Sequence, residues 1–168
     1  MIVGIFADTH DHLAHIRRAV EVFNERECEL VLFAGDFVST FAIPPLRRLR
    51  CPMVASFGDN EGNRLGIRGG MEIIGTIGDP PFCHRASDGT RFVLTHQREL
   101  LQGGEDGCDI VVYAHTHRAR VHRDEAGRLW INPGEASGWS YGEPTIAILD
   151  TIDGSVELVR LDQPSVSR

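Results

Sequence analysis

The chain has 168 residues, of which 42% are hydrophobic and 24% charged, the profile of an ordinary soluble globular domain. A formal charge of -7 argues against a protein that coats nucleic acid. All 17 basic residues are arginine, which excludes Schiff-base lysine chemistry and the lysine of a phosphate-binding P-loop. No apolar run approaches the roughly 18 residues of a membrane span. The opening "MIVGIFADTH" reads as a first core strand rather than an export signal, so a cytoplasmic location is expected. Cys28, Cys51, Cys83 and Cys108 form no CxxC pair; they read as reduced, small apolar residues at element ends.

Taken in chain order, "MIVGIFA" (1–7) is a continuous apolar run suited to a strand covered on both faces. Leu13, Ile16, Ala19, Val20 and Phe23 then fall at helical spacing, with Asp11 available as a cap and His12 and His15 on the exposed side. "LVLFAG" (30–35) is a second buried strand, "FAIPPLRRLR" a short helix entered through prolines, and "PMVASFG" (52–58) a third strand. Strand–helix–strand–helix–strand is the signature of an α/β unit with a parallel sheet. The second half reads as strands joined by turns at Ser87-Asp88-Gly89, Glu125-Ala126-Gly127 and Asp153-Gly154, with a short helix over "RELLQ" and a closing hairpin over "TIAILDTIDGSVELVRL". The expected fold is α/β with mixed sheets and helices outside, residues 1–162 forming one domain and 163–168 a frayed tail.

Residues with metal-binding chemistry sit where these apolar strands end. The first strand ends in Asp8-Thr9-His10, the second in Gly35-Asp36 and the third in Gly58-Asp59-Asn60-Glu61. "RFVLTH" ends in His96, and "DIVVYAHTHRAR" (109–120) ends its strand in His115 and His117. On an extended chain alternate side chains share a face, so both imidazoles can point at one place. Singly, an Asp after a strand is a turn or helix cap and a lone His a satisfied surface or core residue. Five strands delivering Asp or His to one edge is a convergence that packing does not require, and ligands of open α/β sheets bind at that edge. Mixed oxygen and imidazole donors suit Mn, Fe, Co, Ni or Zn better than Ca or Mg.

The motifs "DTH", "GD", "GDNE", "THQ", "AHTH" and "INPGE", in this order and spacing, resemble the calcineurin-like metallophosphoesterase superfamily, most closely its small bacterial and archaeal phosphodiesterases. The resemblance runs from Met1 to about Leu161 and implies a four-layer αββα sandwich with two divalent metals, manganese placed first, at the strand ends. It implies that Asp8, His10, Asp36 and His117 hold one metal, and that Asp59, His96 and His115 hold the other, with Asp36 bridging. It further implies in-line attack on a phosphodiester by a hydroxide shared between the metals.

The chain departs from that pattern at several points. Asp59 replaces a customary Asn, so Asp8, Asp36 and Asp59 carry about -3 against +4 from two divalent ions, which implies tighter metal binding and a weaker pull on an anionic substrate. The alternative register makes Asn60 the ligand but costs Glu61 its family counterpart. Asn60 stands where many relatives have a His thought to protonate the leaving group, leaving the general acid unassigned and favouring a diester over a monoester. Gln97-Arg98 replaces Gly-His; Arg98 is either a forked donor to phosphate or a solvated helix start. Glu135, where a Ser is common, is structural by default, and Asn132-Pro133 shapes a loop.

"GWSYG" (138–142) fits the GxSxG pattern of serine hydrolases, but a loop precedes Ser140, a strand follows, and no histidine lies beyond His122, so that reading is rejected. A non-catalytic scaffold resembling a retromer subunit is the alternative from another class. A nuclease would need a basic groove, which Arg118, Arg120, Arg123 and Arg128 supply less readily than a solvated face. The partner is then a small or medium phosphodiester, with nucleic acid not favoured, no membrane, and self-association open.

Overall fold

The computed structural model describes residues 1–163, so the tail expected at 163–168 falls outside it except for its first residue. Two sheets stack face to face. The first has six strands in the order β11-β10-β1-β2-β3-β4, the second five in the order β5-β6-β7-β9-β8.

β1 (Ile2–Phe6), β2 (Leu30–Ala34), β3 (Met53–Ser56) and β4 (Gly75–Gly78) run parallel. β10 (Thr145–Asp150) joins β1 antiparallel and is followed by β11 (Ser155–Arg160) in the expected hairpin. Alternation divides these strands between two cores. Phe6, Val31, Phe33, Met53, Ala55, Ile146 and Ile148 face α1 (Leu13–Glu25), α2 (Ile43–Leu46) and α3 (Arg64–Met71). Val3, Ile5, Leu30, Leu32, Val54, Ala147 and Leu149 face the second sheet. Gly4 has a reason in this packing, because a Cβ there would meet the Phe23 ring of α1.

In the second sheet β6 (Arg91–Leu94), β7 (Ile110–Val112) and β9 (Leu129–Asn132) are parallel. β5 (Phe82–Arg85) and β8 (Arg120–Arg123) pair antiparallel at its edges, each closed by an expected turn. Phe92, Leu94, Ile110, Val112, Leu129 and Ile131 point inward, while Val93, Val111, Tyr113 and Trp130 form a small cluster on the outer face with Leu101. That outer layer holds no full helix among the described residues. "RELLQ" gives one 3-10 turn, Arg98–Leu100, and Gln102 and Gly103 follow with left-handed φ of 46° and 87°. The αββα order is kept, with its fourth layer reduced to that turn and the loop after it.

Two local readings change. His12, not Asp11, caps α1: its side chain accepts from His15 N, while Asp11 Oδ1 accepts from Ser39 N at 3.2 Å. His15 is half-buried rather than exposed, and its Nδ1–H donates to the carbonyls of Ala136 and Ser137 at 2.9 and 3.0 Å. Residues 62–70 lead into and form most of α3, capped by Asn63 and anchored by buried Ile67 and Met71.

Candidate metal centre

β1, β2, β3, β6 and β7 end at one edge of the sandwich, and the backbone turns sharply as each ladder stops. Asp8, His10, Asp36, His115 and His117 have left-handed φ of 50°, 40°, 68°, 69° and 60°. Each such residue outside glycine is strained, and strain of this kind concentrates at functional sites. The loops are held by an extension of the β1–β2 ladder: Asp8 N donates to Gly35 O, Thr9 N and His10 N to Asp36 O, and Asp11 N to Phe37 O. Two glycines admit the close approach. A Cβ on Gly35, which has φ 97°, would lie 2.7 Å from both Gly58 Cα and His96 Nδ1. One on Gly58 would strike the Asp36 carboxylate. The two Gly-Asp pairs are therefore a steric requirement of placing Asp36 between β1 and β3.

Seven of the ten residues singled out in the sequence converge. Within 4.8 Å of one another lie donor atoms of Asp8, His10 and His117, of Asp59, His96 and His115, and of Asp8, Asp36 and His96. His96 Nε2 stands 3.0 Å from Asp59 Oδ1, 3.4 Å from Asp36 Oδ2 and 3.9 Å from Asp8 Oδ1. His10 Nε2 is 3.6 Å from Asp36 Oδ2, His117 Nε2 is 3.6 Å from Asp8 Oδ1, and His115 Nδ1 is 3.6 Å from Asp59 Oδ1. The imidazoles also crowd one another: His10 and His117 meet Nε2 to Nε2 at 3.2 Å, and His115 Nδ1 lies 3.2 Å from His96 Nε2. His115 and His117 thus face one cavity but fall in different triads.

The donor set fits divalent cations. Asp8 is fully buried, yet neither of its oxygens has a hydrogen-bond partner. Burial holds its carboxyl far above the ordinary 3.8, at about 8. Such an orphan is costly unless a positive charge completes it. Burial alone would lower the His96 imidazole, but its hydrogen bond and charge interaction with Asp36, reinforced by Asp8, outweigh it and raise the group from 6.5 to about 9. Burial would likewise raise Asp36, but His96 and Asn60 overcome it and hold the carboxylate well below its usual range. These carboxylates share protons with an imidazole where cations would replace them.

The surrounding residues hold the donors. Asp36 Oδ1 accepts from Asp59 N and Asn60 N, both at 3.0 Å, and Oδ2 from Asn60 Nδ2 at 2.8 Å. Asn60 therefore serves Asp36, and it is Asp59 that joins the imidazoles. Glu61 lies outside the cluster and staples two loops: Oε1 accepts from Asp36 N and Phe37 N, and Oε2 from Gly58 N. His96 Nδ1–H donates to Ala34 O at 2.8 Å, which turns its Nε2 toward the acids. Gln97, given no role in the sequence reading, donates from Nε2 to Asp59 Oδ2 at 2.9 Å. Arg98 is directed elsewhere. Its guanidinium lies 5.4 Å from the Tyr113 ring and 5.1 Å from that of Trp130, on the outer face of the second sheet.

Glu135 is the residue whose position the sequence least disclosed. Fully buried, it accepts at Oε2 from His117 Nδ1 at 3.0 Å, from Ser137 Oγ at 3.2 Å and from Ser140 N at 3.0 Å; Oε1 accepts from Tyr141 N at 2.7 Å. Burial would raise this carboxyl, but the Ser140 and Tyr141 amides, His117 and Ser137 hold it below its ordinary value. The imidazole's proton is thereby fixed on Nδ1 and its lone pair on Nε2 faces Asp8. Ser140 Oγ lies 2.7 Å from the same Nδ1. In a serine-hydrolase triad the hydroxyl and the acid occupy opposite ring nitrogens, so this arrangement is not one. The rejection holds for that reason and not for want of a later histidine.

The chain belongs to the calcineurin-like phosphoesterase superfamily, whose domain matches residues 1–154. It is 40% identical over 158 residues to the phosphodiesterase MJ0936 of Methanocaldococcus jannaschii, covering 90% of this chain and 93% of that protein. Among solved structures, an archaeal phosphodiesterase superposes with a TM-score of 0.87 at 36% identity, covering 95% of this chain and 99% of the other. Vps29 of Entamoeba histolytica, solved with zinc, superposes with a TM-score of 0.63 at 20% identity over 96% of this chain and 100% of its own, a likeness of fold alone.

Proposed function

We propose that this chain is a phosphodiesterase dependent on two divalent metal ions. The observation that carries the reading is Asp8, fully buried and unpartnered between a triad completed by His10 and His117 and another formed with Asp36 and His96. The similarity to a phosphodiesterase in sequence, and to a solved archaeal phosphodiesterase in structure, over nine-tenths of the chain or more supports the same reaction. Asp8, His10, Asp36 and His117 would hold one ion and Asp59, His96 and His115 the other, with Asp36 shared. A metal pair supplies charge neutralisation at phosphate and a water acidic enough to attack at neutral pH.

The protein's own groups orient and restrain. Asn60 donates to Asp36 with both its backbone N–H and its side chain, so it is committed inward and does not protonate a leaving group. Among the described residues the cluster contains no spare imidazole at that place, which suits an ester whose leaving group departs as a weak base. The mixed carboxylate and imidazole donors favour manganese or nickel over calcium. The extra charge of Asp59 strengthens metal retention at some cost in attraction for an anionic diester. No described helix is long and apolar enough to cross a membrane, and a cytoplasmic location, with a small diester rather than nucleic acid as partner, fits the acidic balance. Three of the four arginines of the candidate basic hairpin have local engagements: Arg118 with the Tyr141 ring, Arg123 with Gly127 O and Arg128 with Asp124.

The phosphomonoesterase and scaffold readings make different predictions. Purified protein should contain about two metals per chain, hydrolyse bis(p-nitrophenyl) phosphate faster than p-nitrophenyl phosphate when supplied with manganese or nickel, and lose turnover on chelation. Faster turnover of the monoester replaces the diester reading. Turnover of neither above a metal-free control, with no bound metal, establishes the scaffold reading instead.

A further inference from the structure

The turn at 139–141 presents two aromatic rings beside the metal centre and holds them by unlike means. Tyr141, 48% exposed, already has the Arg118 guanidinium 4.2 Å from its ring centre. Trp139 is 66% exposed, and among the described residues its recorded ring neighbour is His12, 4.8 Å away and tilted by 48°. Its indole N–H donates to the carbonyl of His10 at 3.4 Å, and its backbone N–H to Ser137 Oγ at 3.5 Å. The next residue, Ser140, lies against His117.

A tryptophan left this open buries little of its ring and adds little to the core. Its position is nevertheless fixed twice over. The edge of the indole is tied to the backbone of one metal-facing histidine, and the turn that carries it is tied, through the buried Glu135 carboxylate, to the ring of the other. A rigid aromatic plane beside a phosphate-binding centre is the usual means of holding a planar ring, because stacking tolerates any base or aryl group. We propose that Trp139 is the ring-binding wall of the site and that the phosphodiester hydrolysed there carries a planar aromatic group, a nucleobase or an aryl ring. This rests on the diester-hydrolase reading above and names its substrate class.

The test is competitive inhibition of bis(p-nitrophenyl) phosphate hydrolysis by the manganese-loaded protein, using methylphosphonate, phenylphosphonate and thymidine 5′-monophosphate. The ring-bearing inhibitors should bind about tenfold more tightly than methylphosphonate, the range that base–aromatic stacking supplies. Trp139→Ala should erase that preference and Trp139→Phe keep most of it. Preference for the thymidine compound over the phenyl one assigns a nucleobase, and the reverse an aryl group. Equal inhibition by all three, or a preference that survives Trp139→Ala, overturns the inference while leaving the diester reading intact. Absence of turnover overturns that underlying reading instead. Ring binding then remains measurable, because phenylphosphonate but not methylphosphonate should quench the emission of exposed Trp139, against buried Trp130 as internal background.

Discussion

Glu135 shows how much one buried carboxylate can organise. It takes the Nδ1–H of His117 and closes the turn at 139–141 through two backbone amides. Removing its charge while keeping its shape should leave the fold but free the imidazole to rotate or change tautomer. Glu135→Gln is expected to weaken metal binding about 10- to 100-fold, the usual cost of losing such a partner, as read by titration of the metal-free protein with manganese. An unchanged affinity would reduce Glu135 to a loop brace. Nothing local in "INPGE" announces this role, because His117 stands 18 positions earlier and reaches the acid only once the second sheet has formed. Asp8, Asp36 and His96 were legible because each follows an apolar run directly, so that chain order alone fixes the edge on which they emerge. Arg98 stayed open between two readings for the opposite reason: only two residues past His96, it starts a 3-10 turn that rotates its exposed side chain onto the outer face.

Elements make the site by stopping in the right way. β2 and β3 are adjacent parallel strands, so Gly35-Asp36 and Gly58-Asp59 emerge side by side, and the missing Cβ atoms let one loop lie on the other. Gly58→Ala would drive a methyl group into the Asp36 carboxylate and to 2.6 Å from its backbone N. It is expected to lower stability by about 1–3 kcal/mol in urea unfolding and to reduce bound metal, since the displaced group is the proposed bridge. Stability and metal content both equal to the parent would refute this account of the glycine. The strands and hairpins themselves were readable from apolar runs and turn residues. β4 was not, since "GTIG" offers one buried apolar residue between glycines and is recruited only because β3 lies beside it. The thin outer layer also escaped the pattern: "RELLQ" has helical spacing, but the glycines at 103 and 104 end it after one turn.

For the molecule as a whole, the cluster is a liability until it is filled. Folding carries Asp8 from an ordinary 3.8 to about 8 and His96 from 6.5 to about 9. Over those intervals the folded chain retains protons that the unfolded chain has released, so the stability of the metal-free protein falls as pH rises through them. Asp36 acts in the other direction, its contribution disappearing below the usual carboxylate range. Melting temperatures measured in chelator should therefore decline from pH 6 to pH 9, and saturating manganese should flatten the decline, because cations take the place of the retained protons. A metal-free melting temperature that climbs over this range would contradict the assigned shifts.

The two attachments made by Glu135 have a consequence beyond either one. A single inflexible group joins the grip on an ion to the posture of an indole-bearing turn, so a disturbance at one end is felt at the other. Thermodynamic reciprocity then sets the terms: by whatever factor a guest resting on the turn steadies the ion, the ion steadies the guest.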